Sequence, residues 1–229
     1  MKKTVLVIAP HYDDEVIGCG GTIISLISKG YDVNIQQVFN GSSGIENVSY
    51  EESIKIRRKE ALSAATIGKY TVLPNLGFDD RRANDPMLIA RKLISVFRKI
   101  NPKIVFVPHD EEQDYEHQVV AKSSWEACWL SSTSNFLSET EKVADPVEVY
   151  LGYEVWKPIQ RVSAFYDITK HVDQKKELLS AFTTQMDTTS WVQGSLGLNA
   201  YRGSMLQGSG YAEAFTLRNL GTESLDKLL

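Results

Sequence analysis

The chain has little cysteine. Cys19 and Cys128 are the only two, far apart and in no Cys-x-x-Cys pair, so a disulfide framework is excluded and a reducing compartment is the default. Long apolar runs are also missing, because no stretch reaches the roughly 18 consecutive residues that a membrane span needs. Lys2 and Lys3 precede an apolar run from Val5 to Ala9, but that run is shorter than the core of a secretory signal and breaks at once into His11, Asp13, Asp14 and Glu15. It reads as a strand. Excess positive charge is absent too: 25 lysines and arginines face 29 acids, giving a net charge of -4, without the field that tracks a phosphate backbone. Nucleic acid is therefore not an expected partner, and the expected location is the cytoplasm. There is no internal repeat and no low-complexity linker, so the 229 residues read as one domain.

What is present is an ordinary globular composition, 42% hydrophobic and 24% charged, enough for a sizeable core. Val5 to Ala9, closed by Pro10, has the continuous apolar pattern of a parallel strand buried on both faces. A helix from Gly18 to Lys29 follows, stopped by Gly30, then a strand from Asp32 to Phe39 and a loop from Asn40 to Gly44. Helices over Glu51 to Ile67, Pro86 to Ile100 and His117 to Leu130 alternate with strands at Val72 to Leu76 and Ile104 to Val107. This alternation predicts an α/β fold, a Rossmann-like, doubly wound and mostly parallel sheet, which binds ligands at the carboxyl ends of its strands. Further on, strands are expected over Val147 to Val155 and Ser163 to Ile168, a helix over His171 to Met186, and a loop-rich C-terminal part from about residue 188 onward.

Two polar clusters close the first and fourth strands: Pro10-His11-Tyr12-Asp13-Asp14-Glu15, and Pro108 to His117, which includes His109, Asp114 and Glu116. Those strands are commonly neighbours in a doubly wound sheet, so the clusters are expected to face one another. Imidazole and carboxylate suit a divalent transition metal, and a catalytic zinc keeps about three protein ligands and an open position. His11, Asp14 and His117 form a candidate set, with Asp13 left over as a candidate general base. The plain alternative is structural, with the acids capping the helix that follows and His117 packing another. A second alternative, a dinucleotide loop at Gly18, Gly20 and Gly21, fails its own spacing because Ile23 stands where the third glycine belongs, and three acids precede it. Those glycines are expected to allow close packing behind the acidic loop.

Pro10 to Glu15, the Gly18-Cys19-Gly20-Gly21-Thr22 continuation, Arg57-Arg58-Lys59-Glu60-Ala61 before Ile67-Gly68, Glu116-His117, and the tail Gly210-Tyr211-Ala212-Glu213-Ala214-Phe215 together resemble the LmbE-like, or PIG-L, deacetylase family. The resemblance implies a zinc-dependent hydrolase that removes an acyl group, above all acetyl, from the nitrogen of an amino sugar conjugate. It implies His11, Asp14 and His117 as ligands of Zn2+ or another divalent transition metal, and Asp13 as base. It also implies that Arg57 and Asp80 contact the sugar. Two positions depart from the family pattern. Tyr12 stands where relatives often have proline, which is expected to alter loop stiffness more than chemistry. Asp114 stands where many carry a histidine, and a carboxylate there replaces a cationic imidazole only if it is protonated or orients another donor. The general acid is thus open between Asp13 itself, after it has taken a proton, and His109. A non-catalytic metal- and sugar-binding module on the same fold is the remaining alternative, and a homo-oligomer is compatible with the sequence.

Overall fold

A computed structural model of the chain describes residues 4–82, 85–134, 136–138, 141–186, 190–206, 208 and 210–218. The run Thr4–Ala9 forms β1, followed by α1 (Asp14–Ser28), β2 (Asp32–Gln37), α2 (Tyr50–Gly68), β3 (Thr71–Val72), α3 (Pro86–Ile100), β4 (Ile104–Pro108) and α4 (Tyr115–Ser131). After these come β5 (Val149–Tyr153), β6 (Ala164–Asp167), α5 (Val172–Ser180), α6 (Thr183–Met186), α7 (Trp191–Met205) and β7 (Ala212–Arg218). The seven strands make one sheet in the order β3-β2-β1-β4-β5-β7-β6. β1 pairs in parallel with both β2 and β4, while β7 runs antiparallel between β5 and β6. The α/β, doubly wound and mostly parallel reading therefore holds.

Side-chain alternation explains the unbroken apolar runs. Val5 and Val7 enter the core cluster beneath α1, α2 and α5, whereas Leu6 and Ile8 enter the opposite cluster with α3 and α4, so β1 is buried from both faces. Local chemistry sets the helix ends: Ser49 caps α2 through Glu52 N–H, Asp85 caps α3 just before Pro86, and Asp114 caps α4 through the N–H groups of Glu116 and His117.

Several expected boundaries moved. The first helix begins at Asp14 rather than Gly18, with a break in helical geometry at Cys19. The third strand shrinks to Thr71–Val72, as the proline at 74 disfavours further pairing. The helix expected over His171 to Met186 splits into α5 and α6. The main correction concerns the segment from about 188, read as loops: Trp191 to Met205 is a helix despite Gly194, Gly197 and Gly203, and Ala212 to Arg218 is a strand. Positions 188, 189, 207, 209 and 219–229 of that segment lie outside the described residues.

The glycines of α1 act as packing surfaces, as expected. A Cβ at Gly18 would lie 2.2 Å from Tyr153 Cδ2, and one at Gly21 would lie 2.7 Å from Ile168. They sit inside a helix, so the nucleotide-loop alternative has no structural basis there. Beyond the break at Cys19 the C-terminal motif takes hold. Glu213 accepts hydrogen bonds from Gly21 N–H (2.9 Å), Thr22 N–H (2.8 Å) and the Thr22 hydroxyl (2.6 Å), and pairs with Lys175 Nζ at 2.8 Å. Lys175 also donates to the Ile17 carbonyl at 2.8 Å, so this wholly buried pair ties the two halves of α1 together behind the polar loop. Glu213→Gln leaves the lysine charge buried without its counter-ion. We expect it to lower unfolding free energy by about 3–5 kcal/mol, measured by urea denaturation; a loss of under about 1 kcal/mol would show that the pair is not structural.

Candidate active site

The two clusters meet. β1 and β4 are adjacent, and the loops leaving their carboxyl ends bring one side-chain nitrogen or oxygen each from His11, Asp14 and His117 within 4.8 Å of one another. His11 stacks on Phe39 at 5.4 Å, and its Nδ1 lies 3.3 Å from Asp14 Oδ2. His117 Nε2 lies 3.2 Å from the same oxygen. His11, Asp13 and Asp14 line a cavity with Gly41, Ser43, Arg57, Asp80, Arg81, Gln185, Trp156 and Trp191, while His117 is fully buried behind it.

The helix-capping explanation does not account for Asp13. Its backbone sits at φ 112°, ψ -26°, a region costly for a residue other than glycine, and its side chain makes no cap hydrogen bond. The strained backbone turns the carboxylate into the cavity instead, where Arg57 Nη2 holds Oδ2 at 3.2 Å. Arg57 in turn bonds Glu60 Oε2 (3.1 Å) and the Tyr12 carbonyl. Asp80 accepts from the N–H groups of Gly41 (2.9 Å) and Ser43 (3.2 Å), which fixes the loop after β2 as one wall. Arg57 and Asp80, expected to contact a sugar, thus border the cavity and are buried. Tyr12 turns its ring into the core, away from the chemistry.

Both histidines are backed by a carboxylate. Glu116 Oε2 lies 2.7 Å from His11 Nε2, and Glu112 Oε2 lies 3.6 Å from His117 Nδ1. Such partners fix the ring orientation and leave the opposite nitrogen as a lone-pair donor. Sequence reasoning assigned no role to Glu112 or Glu116. The signal was the density of acids between Asp110 and Glu116, which spacing alone does not sort into capping, orienting and exposed groups.

His109 does not reach this cavity. Its Nε2 lies 2.7 Å from the Lys157 carbonyl and 3.4 Å from Glu112 Oε1, and it borders a separate depression with Asp110 and Arg161. Of the two groups open as general acid, His109 is thus the one that stands away from the cavity, because β4 ends so that its ring points toward the 154–158 loop. Asp114 caps α4 and, through Oδ2, holds the Arg81 guanidinium at 2.7 Å. Burial disfavours the Asp114 charge, but the Arg81 bond outweighs it and holds the carboxyl below its ordinary range. It therefore orients a cation, one of the two ways open to a carboxylate at that position.

The residues fit a divalent cation. Neither ring nitrogen of buried His117 makes a well-formed hydrogen bond, although Asp14 and Glu112 carboxylates stand beside them at 3.2 Å and 3.6 Å, and a buried nitrogen so poorly satisfied is costly unless something takes its lone pair. Two imidazoles and a carboxylate are a borderline-soft donor set. Burial opposes charge on these histidines, yet Asp14 and Glu116 raise His11 to about 10, and Asp14 and Glu112 raise His117 to about 9. For Asp14, burial is outweighed by the charges and hydrogen bonds of both histidines, which hold it well below the carboxylate range. Burial pushes Asp13 up to about 6 against the pull of Arg57. Asp14 thus stays ionised, as a cation ligand has to be, while Asp13 is the carboxyl of the pair whose range is raised toward neutrality.

A cation must displace the two imidazole protons, so its affinity is expected to rise with pH until about 9–10, where His11 and His117 lose their protons unaided. Zinc competition titrations at pH 6, 7 and 8 are expected to show affinity climbing by about 100-fold per pH unit, since two protons leave for each ion bound. An unchanged affinity would contradict this site.

Residues 6–128 match the family described as PIG-L, GlcNAc-PI de-N-acetylase. The chain is 30% identical over 199 residues, 82% of its length, to the diacetylchitobiose deacetylase of Thermococcus kodakarensis, and spans 72% of that protein. Among solved structures it is similar to the N,N'-diacetylchitobiose deacetylase of Pyrococcus horikoshii, with a TM-score of 0.85 and 23% identity, covering 99% of this chain and 89% of that one. It is also similar to the 4-carboxy-2-hydroxymuconate hydratase of Pseudomonas putida, with a TM-score of 0.80, 21% identity and coverage of 94% and 95%. These structural likenesses establish the fold, which hosts more than one reaction. Among the described residues no helix is long and apolar enough to cross a membrane.

Proposed function

This chain belongs to the PIG-L, or GlcNAc-PI de-N-acetylase, family, and we propose that it is a zinc-dependent hydrolase that removes an N-acetyl group from an amino sugar conjugate. The observation that carries the reading is the pairing of a three-ligand cluster with a separate carboxylate, Asp13, at one cavity wall. Binding alone would not call for a strained backbone that frees that carboxylate from capping.

His11, Asp14 and His117 would hold the metal, whose chemistry there would be to lower the pKa of a water and to polarise an amide carbonyl. Glu116 and Glu112 keep the two imidazoles oriented, and Arg57 keeps Asp13 aimed and helps it remain ionised. Asp13 accepts the water's proton on a carboxylate oxygen as the C–O bond forms, then returns it to the departing nitrogen as the C–N bond breaks. Acetate and a free amine result. Asp13 is thus both base and acid, since His109 faces elsewhere. Arg57 and Asp80 border the space for the reacting sugar.

Negative charge that builds on the carbonyl oxygen needs a donor, and Arg81 supplies it. Its Nη1 is held by Asp114 at 2.7 Å and lies 3.5 Å from Glu116 Oε2, the same oxygen that bonds His11. Arg81→Met is expected to lower kcat by about 100-fold with little change in KM, as loss of an oxyanion donor does. Unchanged kcat would remove Arg81 from the mechanism. The function itself is tested by incubating zinc-loaded protein with N-acetylglucosamine conjugates and measuring acetate and free amine. Binding of sugar and zinc without acetate release would favour a non-catalytic module.

A further inference from the structure

A second cavity, of about 460 Å³, lies between α2 and the β3 edge of the sheet. It adjoins the carboxyl ends of β2 and β3, the end at which doubly wound sheets hold ligands, because Gln37 closes β2 and Leu73 to Asn75 follow β3. One wall is a stripe of α2 at helical spacing, Ile54, Arg58 and Leu62. The other is Val72 to Pro74, pinned where Leu73 N–H donates to the Ile35 carbonyl and Gln36 Nε2 to the Pro74 carbonyl, each at 2.9 Å. Tyr12 also lines it, so His11 and Asp13 border the first cavity and the residue between them borders the second. The adjacent arginines divide in the same way: Arg57 holds Asp13, and Arg58 serves the second cavity.

Two of its groups have no structural use. Gln37 is fully buried, yet neither its Nε2 nor its Oε1 has a hydrogen-bond partner, whereas Gln36 beside it is bonded. Leaving both ends of a buried amide unmet is costly, unless a ligand with a donor and an acceptor side by side completes them. Arg58 is exposed and makes no ion pair among the described residues, and its neighbours at helical spacing, Ile54, Lys55, Ala61 and Leu62, include no acid. We infer that this cavity is a second ligand site, for a nucleoside monophosphate: the base edge pairs with the Gln37 amide, the ring lies between the apolar walls, and the phosphate meets Arg58. A nucleobase carries a donor and an acceptor on neighbouring atoms of one flat edge, which a glutamine amide reads with both of its ends. A carboxylate alone would satisfy Nε2 but set its lone pairs against Oε1. A neutral sugar would leave hydroxyls against Ile54, Leu62 and Pro74, and an apolar ligand would leave both the amide and Arg58 unmet. The packed glycines of α1 take no part in this site.

The test is equilibrium dialysis of the zinc-loaded full chain against AMP, GMP, UMP and CMP, with ribose 5-phosphate as the probe that lacks a base. At least one nucleotide is expected to bind once per chain, about tenfold or more tighter than ribose 5-phosphate, the discrimination of one good bidentate pair. Gln37→Leu is expected to erase that margin without loss of the fold, because it removes an unmet buried amide, and a thermal melt at or above that of the wild type checks this. Arg58→Met, at an exposed position, is expected to weaken the same nucleotide about tenfold and to leave its nucleoside unchanged. His117→Ala, which takes away a metal ligand, is expected to bind the nucleotide as the wild type does. The site would be overturned if no nucleotide bound more tightly than about 1 mM, or if the margin survived Gln37→Leu in a folded protein. Unchanged nucleotide binding in Arg58→Met, or binding lost in His117→Ala, would overturn it as well, the latter by placing the phosphate on the metal.

Discussion

Asp13→Asn is expected to lower turnover of an N-acetylated amino sugar by about 1000-fold while leaving bound zinc close to one per chain. Asparagine is nearly the same size and is among the residues that best tolerate the left-handed backbone found at position 13, φ 112°. It can keep a hydrogen bond from Arg57 Nη2, now 3.2 Å from Oδ2, but it cannot take a proton. The substitution therefore separates the base from the scaffold. Acetate release at the wild-type rate would show that the proton goes elsewhere. Because Arg57 pulls the Asp13 pKa down against the burial that raises it to about 6, Arg57→Gln should move the acidic limb of the rate profile to higher pH.

His117→Ala is expected to have an effect at least as large, by another route. His117 Nε2 is one of three donor atoms, and with one gone only His11 and Asp14 remain, so no redundancy is left among the residues brought together. Loss of a partner behind a ligand already lowers metal affinity about 10–100-fold, and loss of the ligand itself is expected to exceed 100-fold. Elemental analysis after dialysis at matched zinc concentration is the readout, with thermal melts to confirm folding. Full zinc occupancy in a folded His117→Ala protein would dismiss His117 as a ligand. Glu112→Gln is the graded control, because it disturbs the partner behind the ring and leaves Nε2 in place.

Much of this site was legible in the sequence because its parts obey local rules. A continuous apolar run followed by Pro10 marks a buried strand end, and strand alternation places β1 beside β4, so His11 and His117 were brought to one edge without knowledge of any contact. What was not legible depends on direction. Asp110, Glu111, Glu112, Asp114 and Glu116 are similar as letters, yet one caps a helix and holds Arg81, and two stand behind histidines. His109 was open as a general acid because it shares a cluster with His117, but its place just after β4 turns it to the Lys157 carbonyl. Helix α7 was hidden by its glycines, which weaken helical propensity. Tertiary contact restores it: a Cβ at Gly203 would sit 2.5 Å from the Gly210 carbonyl, a close approach that only glycine permits. The mouth of the cavity is assembled from Trp156 and Trp191, two isolated residues with no periodic signal to join them.

In the proposed mechanism one cation joins two loops distant in the chain, with Asp13 beside it. Anomalous scattering at the zinc edge from a crystal of the zinc-loaded protein tests this directly. A single strong peak bonded by His11, Asp14 and His117 is expected, with an Asp13 carboxylate oxygen within hydrogen-bond reach of a water on that ion. A peak bonded by other residues, or one from which His117 is turned away, would contradict it.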